Sequence, residues 1–78
     1  MMSEMSWLRT FGNNLMYFME QADMSQEELA RATGLTQASI SRYASGTQMP
    51  GIRAIINIAH VFGVTTDELI DFGDMIGL

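Results

Sequence analysis

The chain has 78 residues, 47% of them hydrophobic and 17% charged. That balance is ordinary for a globular protein and leaves room for one domain, which at this size buries about 60% of the surface its unfolded form exposes. The absence of cysteine excludes disulfides, thiolate chemistry and cysteine-based zinc sites, and it suits a reducing compartment, so the cytoplasm is the expected location.

The net charge of −5 argues at first against nucleic acid, because Lys and Arg that neutralise phosphates supply most non-specific affinity for it. The charge is unevenly spread, however. Residues 64–78 hold −4 through Asp67, Glu68, Asp71 and Asp74, and Glu4, Glu20 and Asp23 against Arg9 leave −2 in residues 1–24. Residues 25–45 are neutral and residues 46–63 hold only Arg53. With no lysine present, the positive charge rests on Arg9, Arg31, Arg42 and Arg53.

Residues 1–10 place Glu4 and Arg9 in a short mixed stretch, without the basic segment and apolar run of a signal peptide. No run approaches the roughly 18–20 apolar residues of a membrane span, so a soluble chain is expected. From Trp7 to Ala22, Phe11, Leu15, Phe18 and Ala22 fall within an arc of about 60° on a helical wheel, which predicts a first helix. Ser25 followed by Glu28 forms a capping box and opens a second helix carrying Leu29 and Ala30. Thr33-Gly34-Leu35 interrupts it, and Gly34 is suited to the left-handed backbone that ends a helix.

Thr36 caps a predicted third helix that runs to about Ala44, and Ser45 to Gly51 reads as a loop. Pro50 stands where a fourth helix starts, with Ile52, Ile55, Ile58 or Ala59 and Phe62 at helical spacing. Gly63 ends it, and Thr65 with Glu68 forms a second capping box for a short fifth helix through Leu69 and Phe72. There is no internal repeat and no alternating strand pattern. The expected fold is all-α, five helices in one domain over residues 1–78, with its core at about 7–72 and a short tail at each end.

On the third helix, Gln37, Ala38, Ser41, Arg42 and Ser45 occupy an arc of about 140°, with Ile40, Tyr43 and Ala44 opposite. The polar side is suited to base edges: an amide pairs with adenine, a guanidinium with guanine, and a small side chain meets a thymine methyl. Any solvated helix also shows Gln, Ser and Arg to water, so this helix alone does not decide the matter.

The longer run from Gln26 to Tyr43, followed by Ser45-Gly46 and Pro50, resembles the Cro and phage-repressor class of helix-turn-helix proteins. Ala30, Gly34 and Ile40 match the family's small residue, turn glycine and inward aliphatic residue. The likeness continues through Ile52–Phe62, Gly63-Val64 and Asp67-Glu68-Leu69, and so covers roughly residues 11–70.

The resemblance implies a repressor-like domain that binds double-stranded DNA, with the third helix in the major groove and the second crossing the backbone. Gln37, Ala38, Ser41 and Arg42 match base-reading positions. Gln26, Thr36, Ser45, Thr47, Gln48 and Arg53 are the expected phosphate-contacting or positioning residues. No cofactor is implied. A homodimer on a palindromic operator is expected, joined through the fifth helix and the tail with Met75, Ile76 and Leu78, while Met16 and Tyr17 lie outside the apolar arc of the first helix.

This sequence departs from the pattern in two places. Asn14, Met16 and Met19 stand where first helices of the family carry Arg or Lys, and Thr47-Gln48 replaces a basic loop. The acidic balance and these losses favour a rival reading, a protein-interaction module on the same fold with weak or no DNA binding, in the manner of an antitoxin or anti-repressor. Gln26, Gln37 and Arg42 favour DNA. His60 has no second His or Cys for a metal site, and Glu27-Glu28 and Asp67-Glu68 sit in first turns, where they complement helix dipoles, so no enzyme is expected.

Overall fold

Four helices run in chain order: α1 (Glu4–Gln21), α2 (Gln26–Thr33), α3 (Gln37–Ser45) and α4 (Ile52–Phe62). Residues 66–70 are helical as well and are called α5 here. This computed structural model describes the backbone of residues 4–70 and the side chains of residues 7–70. Among the described residues there is no strand, and no helix is long and apolar enough to cross a membrane.

Each of the five helices contributes one fully buried aliphatic side chain to a single core: Leu15, Leu29, Ile40, Ile58 and Leu69. Burying each of these contributes about 2 kcal/mol. Phe11 of α1 meets Tyr43 of α3 edge-on at 6.4 Å, and Phe18 stacks on Phe62 of α4 at 5.9 Å. The first helix therefore backs both α3 and α4.

Helix ends follow local chemistry. The Ser25 hydroxyl accepts the Glu28 amide at 3.1 Å while the Glu28 carboxylate accepts the Ser25 amide at 2.8 Å. The Ser25 backbone N–H, and then its hydroxyl, hold the Glu28 carboxyl below its ordinary range. The same reciprocal pair joins Thr65 and Glu68 at the start of α5, at 3.0 and 2.9 Å. Gly34 ends α2 with φ 78° and donates to Ala30 O.

Three other helices end in the six-to-one turn that needs a left-handed residue. Met24 donates to Met19 O across Asp23 at φ 53°, Thr47 to Arg42 O across Gly46, and Val64 to Ala59 O across Gly63. Asp is one of the few residues besides Gly that adopts this conformation.

Several expectations are corrected. The first helix begins at Glu4, not Trp7, and ends at Gln21, so Ala22 lies in the turn and is exposed instead of facing the core. Asn14 and Met19 are buried, with 4% and 8% of their surface exposed, and so are not positions where a charge could stand. Asn14 Nδ2 donates to Leu69 O at 2.7 Å, a buried amide that ties α5 to α1. Pro50 is buried ahead of α4, which starts at Ile52 after Gly51. Ile52 faces outward with 69% of its surface exposed, while Ala54 joins Ile55, Ile58 and Ala59 inside. Phe72, Met75, Ile76 and Leu78 lie outside the described residues.

Gly12 is the feature that sequence reasoning passed over. A Cβ there would stand 2.7 Å from Ala44 O and 3.0 Å from Tyr43 O, so the backbone of α1 lies directly against the last turn of α3. Glycine weakens a helix interior by about 0.5–1 kcal/mol relative to alanine, and here the close approach requires it.

Candidate nucleic-acid interface

The packing of α3 fixes which side chains remain outside. Ile40, Tyr43 and Ala44 are buried against α1 and its neighbours, and this turns Gln37, Ala38, Ser41, Arg42 and Ser45 to the surface. All five share one exposed face, as the helical wheel predicts. Thr36 caps the helix: its hydroxyl accepts the Ser39 amide at 3.0 Å and donates to the Ser39 hydroxyl at 2.9 Å.

Past Ser45 the chain turns back at Gly46, φ 74°, onto the residue it has just left. Thr47 donates to Arg42 O through its amide at 3.0 Å and through its hydroxyl at 3.2 Å. The Ser45 hydroxyl reaches the same carbonyl at 3.1 Å and lies 3.0 Å from the Thr47 hydroxyl. The turn brings Gln48 over the Arg42 side chain, where Arg42 Nε donates to Gln48 Oε1 at 2.7 Å. Six residues apart in sequence, these two side chains form one unit at the end of the exposed face.

Gln26 is the first residue of α2 and is half-buried. Ser25 and Glu28 satisfy each other's amides there, and Glu27 pairs with Arg31 at 3.4 Å on the open surface. That exposed pair adds little to stability, and it couples Arg31 to an acid of its own helix. Arg53 stands apart, exposed in the first turn of α4, with no described hydrogen bond to the α3 set.

The arrangement gives a solvent-facing row of amide, methyl, hydroxyl and guanidinium groups on a rigid helix. α2 packs across that helix and α1 supports it from behind. A helix of this width enters the major groove of B-form DNA, where amide and guanidinium forks match base edges.

The family model described as helix-turn-helix matches residues 15–69. The chain belongs to the helix-turn-helix family. Within that family it is 28% identical over 60 residues to YqaE, an uncharacterized HTH-type transcriptional regulator of Bacillus subtilis. The match takes in 77% of this chain and 52% of YqaE, so the chain spans about half the length of that curated relative.

Two solved structures superpose closely. The restriction-modification controller protein C.AhdI from Aeromonas hydrophila is 26% identical with a TM-score of 0.76, covering 80% of this chain and 94% of that one. The hypothetical transcription factor NHTF from Neisseria is also 26% identical, with a TM-score of 0.80 over 88% of this chain and 79% of its own.

Of the residues singled out from sequence, the structure brings Gln37, Ala38, Ser41, Arg42 and Ser45 together on α3 and folds Thr47 and Gln48 against them. It sets Gln26 at the start of α2, and it leaves Arg53 on another helix. The contact between Arg42 and Gln48 was not foreseen, because it depends on a turn whose geometry Gly46 sets.

Proposed function

We propose that this chain is a sequence-specific double-stranded DNA-binding regulator of transcription, repressor-like in action, that reads the major groove with α3. The observation that carries the reading is the sorting of α3: Gln37, Ala38, Ser41, Arg42 and Ser45, whose side chains suit base edges, face outward, while Ile40, Tyr43 and Ala44 face in. Membership of the helix-turn-helix family and the likeness to proteins named as transcriptional regulators support it.

In this reading Gln37 pairs with an adenine, Ala38 meets a thymine methyl, Ser41 donates or accepts at a neighbouring base, and Arg42 addresses a guanine. Gln26, Thr36, Ser45, Thr47 and Arg53 position the domain on the backbone, where the family resemblance also sets Gln48. No cofactor takes part.

With about two or three arginines available per subunit, the logarithm of affinity falls with the logarithm of salt at a slope of about −2 to −3 per subunit, shallow for a DNA-binding protein. Weak contact by one copy makes a homodimer part of the proposal, since a two-fold pair meets the two halves of a palindromic operator together. Exposed Ile52 and Ile56 on α4 offer apolar surface to a second copy.

The test is retention from a random duplex pool at about 50 mM salt, a condition that favours phosphate contacts, followed by sequencing. An enriched palindrome is expected. If the folded protein enriches nothing, the acidic balance and a first helix whose one basic residue is Arg9 speak for the protein-interaction module instead.

A further inference from the structure

We infer that Gln48 is a positioning residue for base recognition, which fixes the Arg42 guanidinium so that only its end-on fork meets the DNA. The inference rests on the reading of α3 as a groove-reading helix, and it assigns Gln48 a task other than the phosphate contact that the family resemblance implies.

The Arg42 guanidinium carries five N–H donors in a plane, one on Nε and two on each terminal nitrogen. Two forks on that plane can pair with the O6 and N7 of a guanine: a side-on fork that uses Nε, and an end-on fork that uses one N–H from each terminal nitrogen. Gln48 Oε1 takes the Nε–H at 2.7 Å, a short bond from a charged donor. The side-on fork is thereby closed and the end-on fork remains.

An exposed arginine ordinarily samples many rotamers, and ordering it on binding costs free energy. Here the restraint is already present. It comes from a loop that is itself held on the backbone of Arg42, through the Thr47 amide and the Ser45 and Thr47 hydroxyls on one carbonyl. The loop and the reading side chain are therefore joined as one hydrogen-bonded unit, set by the left-handed turn at Gly46.

A phosphate contact and a positioning role predict different data. Losing a phosphate contact weakens binding to every sequence alike, whereas losing a buttress broadens the choice at one base pair and leaves the rest unchanged. The experiment uses the wild-type protein and the Gln48→Ala and Gln48→Glu variants. Each is titrated against four duplexes that carry the enriched sequence and differ only at the base pair whose preference Arg42→Ala abolishes.

Gln48→Ala is expected to shrink the preference at that pair by about threefold to tenfold, the worth of one hydrogen bond of this kind, with an unchanged salt slope. Gln48→Glu keeps an acceptor for Nε. It is expected to retain the preference while binding all four duplexes more weakly, because its charge repels the backbone. Equal loss by Gln48→Ala on all four duplexes, or an unchanged preference, overturns the positioning role and leaves the groove-reading helix intact. A wild-type protein that enriches no sequence overturns the underlying reading, and this inference with it.

Discussion

α3 and α4 are built alike on the inside. Both bury three or four side chains, and both end at a glycine in the left-handed region, φ 74° and 68°. Their outer faces differ. α3 shows water Gln37, Ala38, Ser41 and Arg42, whereas α4 shows Ile52 and Ile56, 69% and 51% exposed, beside Arg53 and His60. Their starts differ too, since Thr36 caps α3 with its hydroxyl and Gly51 has no side chain to offer α4. Two helices can thus obey the same packing rule and still present different chemistry to solvent: burial decides which residues are inside, and the outer face is left free to differ.

The largest effect should come from behind α3. Gly12→Val would drive a branched side chain into the carbonyls of Ala44 and Tyr43, forcing the helices apart at a cost of about 3 kcal/mol. A urea titration would show it as an earlier midpoint, and an unshifted midpoint would mean that α1 does not press on α3 as described.

Gly34→Val is a conformational test, because beyond its two chain neighbours nothing lies within 4 Å of a Cβ built there. Its cost of about 2 kcal/mol arises from a β-branched residue held at positive φ. A melting temperature equal to that of wild type would argue that the turn between α2 and α3 accepts another backbone shape.

Changes at the two helix starts should move in opposite directions. Thr36→Ala removes the bond to the Ser39 amide and costs about 1 kcal/mol. Gly51→Ser supplies a hydroxyl where none exists, with open space for its Cβ, and should stabilise α4 by a few tenths of a kcal/mol, that is about 0.3. Denaturant midpoints measured side by side would reveal whether these caps are as unequal as they look.

The smallest effect on folding should follow from Ile52→Gln with Ile56→Gln, which touches only exposed surface and should alter stability by less than about 0.5 kcal/mol. Sedimentation gives the sharper readout, since a dimer that uses this face would shift toward monomer at the same protein concentration. An unaltered sedimentation coefficient would place the subunit contact elsewhere.

The sequence made α2, the turn and α3 legible because their signals are local. Ser25 and Glu28 cap each other three residues apart, Thr36 caps its own helix, and Gly34 acts through its own dihedral angles. The wheel of α3 was readable because only three of its residues are large and apolar or packed like them. α4 offered a less exact guide: Ile52, Ile55, Ile56, Ile58, Val61 and Phe62 spread over a wide arc opposite Arg53, Asn57 and His60, and pattern alone could not say which isoleucines at its edge face out.

Gly12 and Asn14 were opaque for another reason. Their partners, Ala44 and Leu69, are distant in the chain, so nothing beside them in sequence announces a close approach or a buried amide. The exposed face of α3 was accessible through the resemblance and the wheel together, whereas the bond from Arg42 to Gln48 required the geometry of the Gly46 turn.

A base-reading outer face on α3 is best tested at Arg42. We would measure wild type and Arg42→Ala against the enriched duplex and its single-base-pair variants at one salt concentration. Arg42→Ala is expected to lose about 1–3 kcal/mol of discrimination at one base pair and to keep its preferences at the others. Equal weakening on every duplex would contradict it, because Arg42 would then be one more charge facing phosphate.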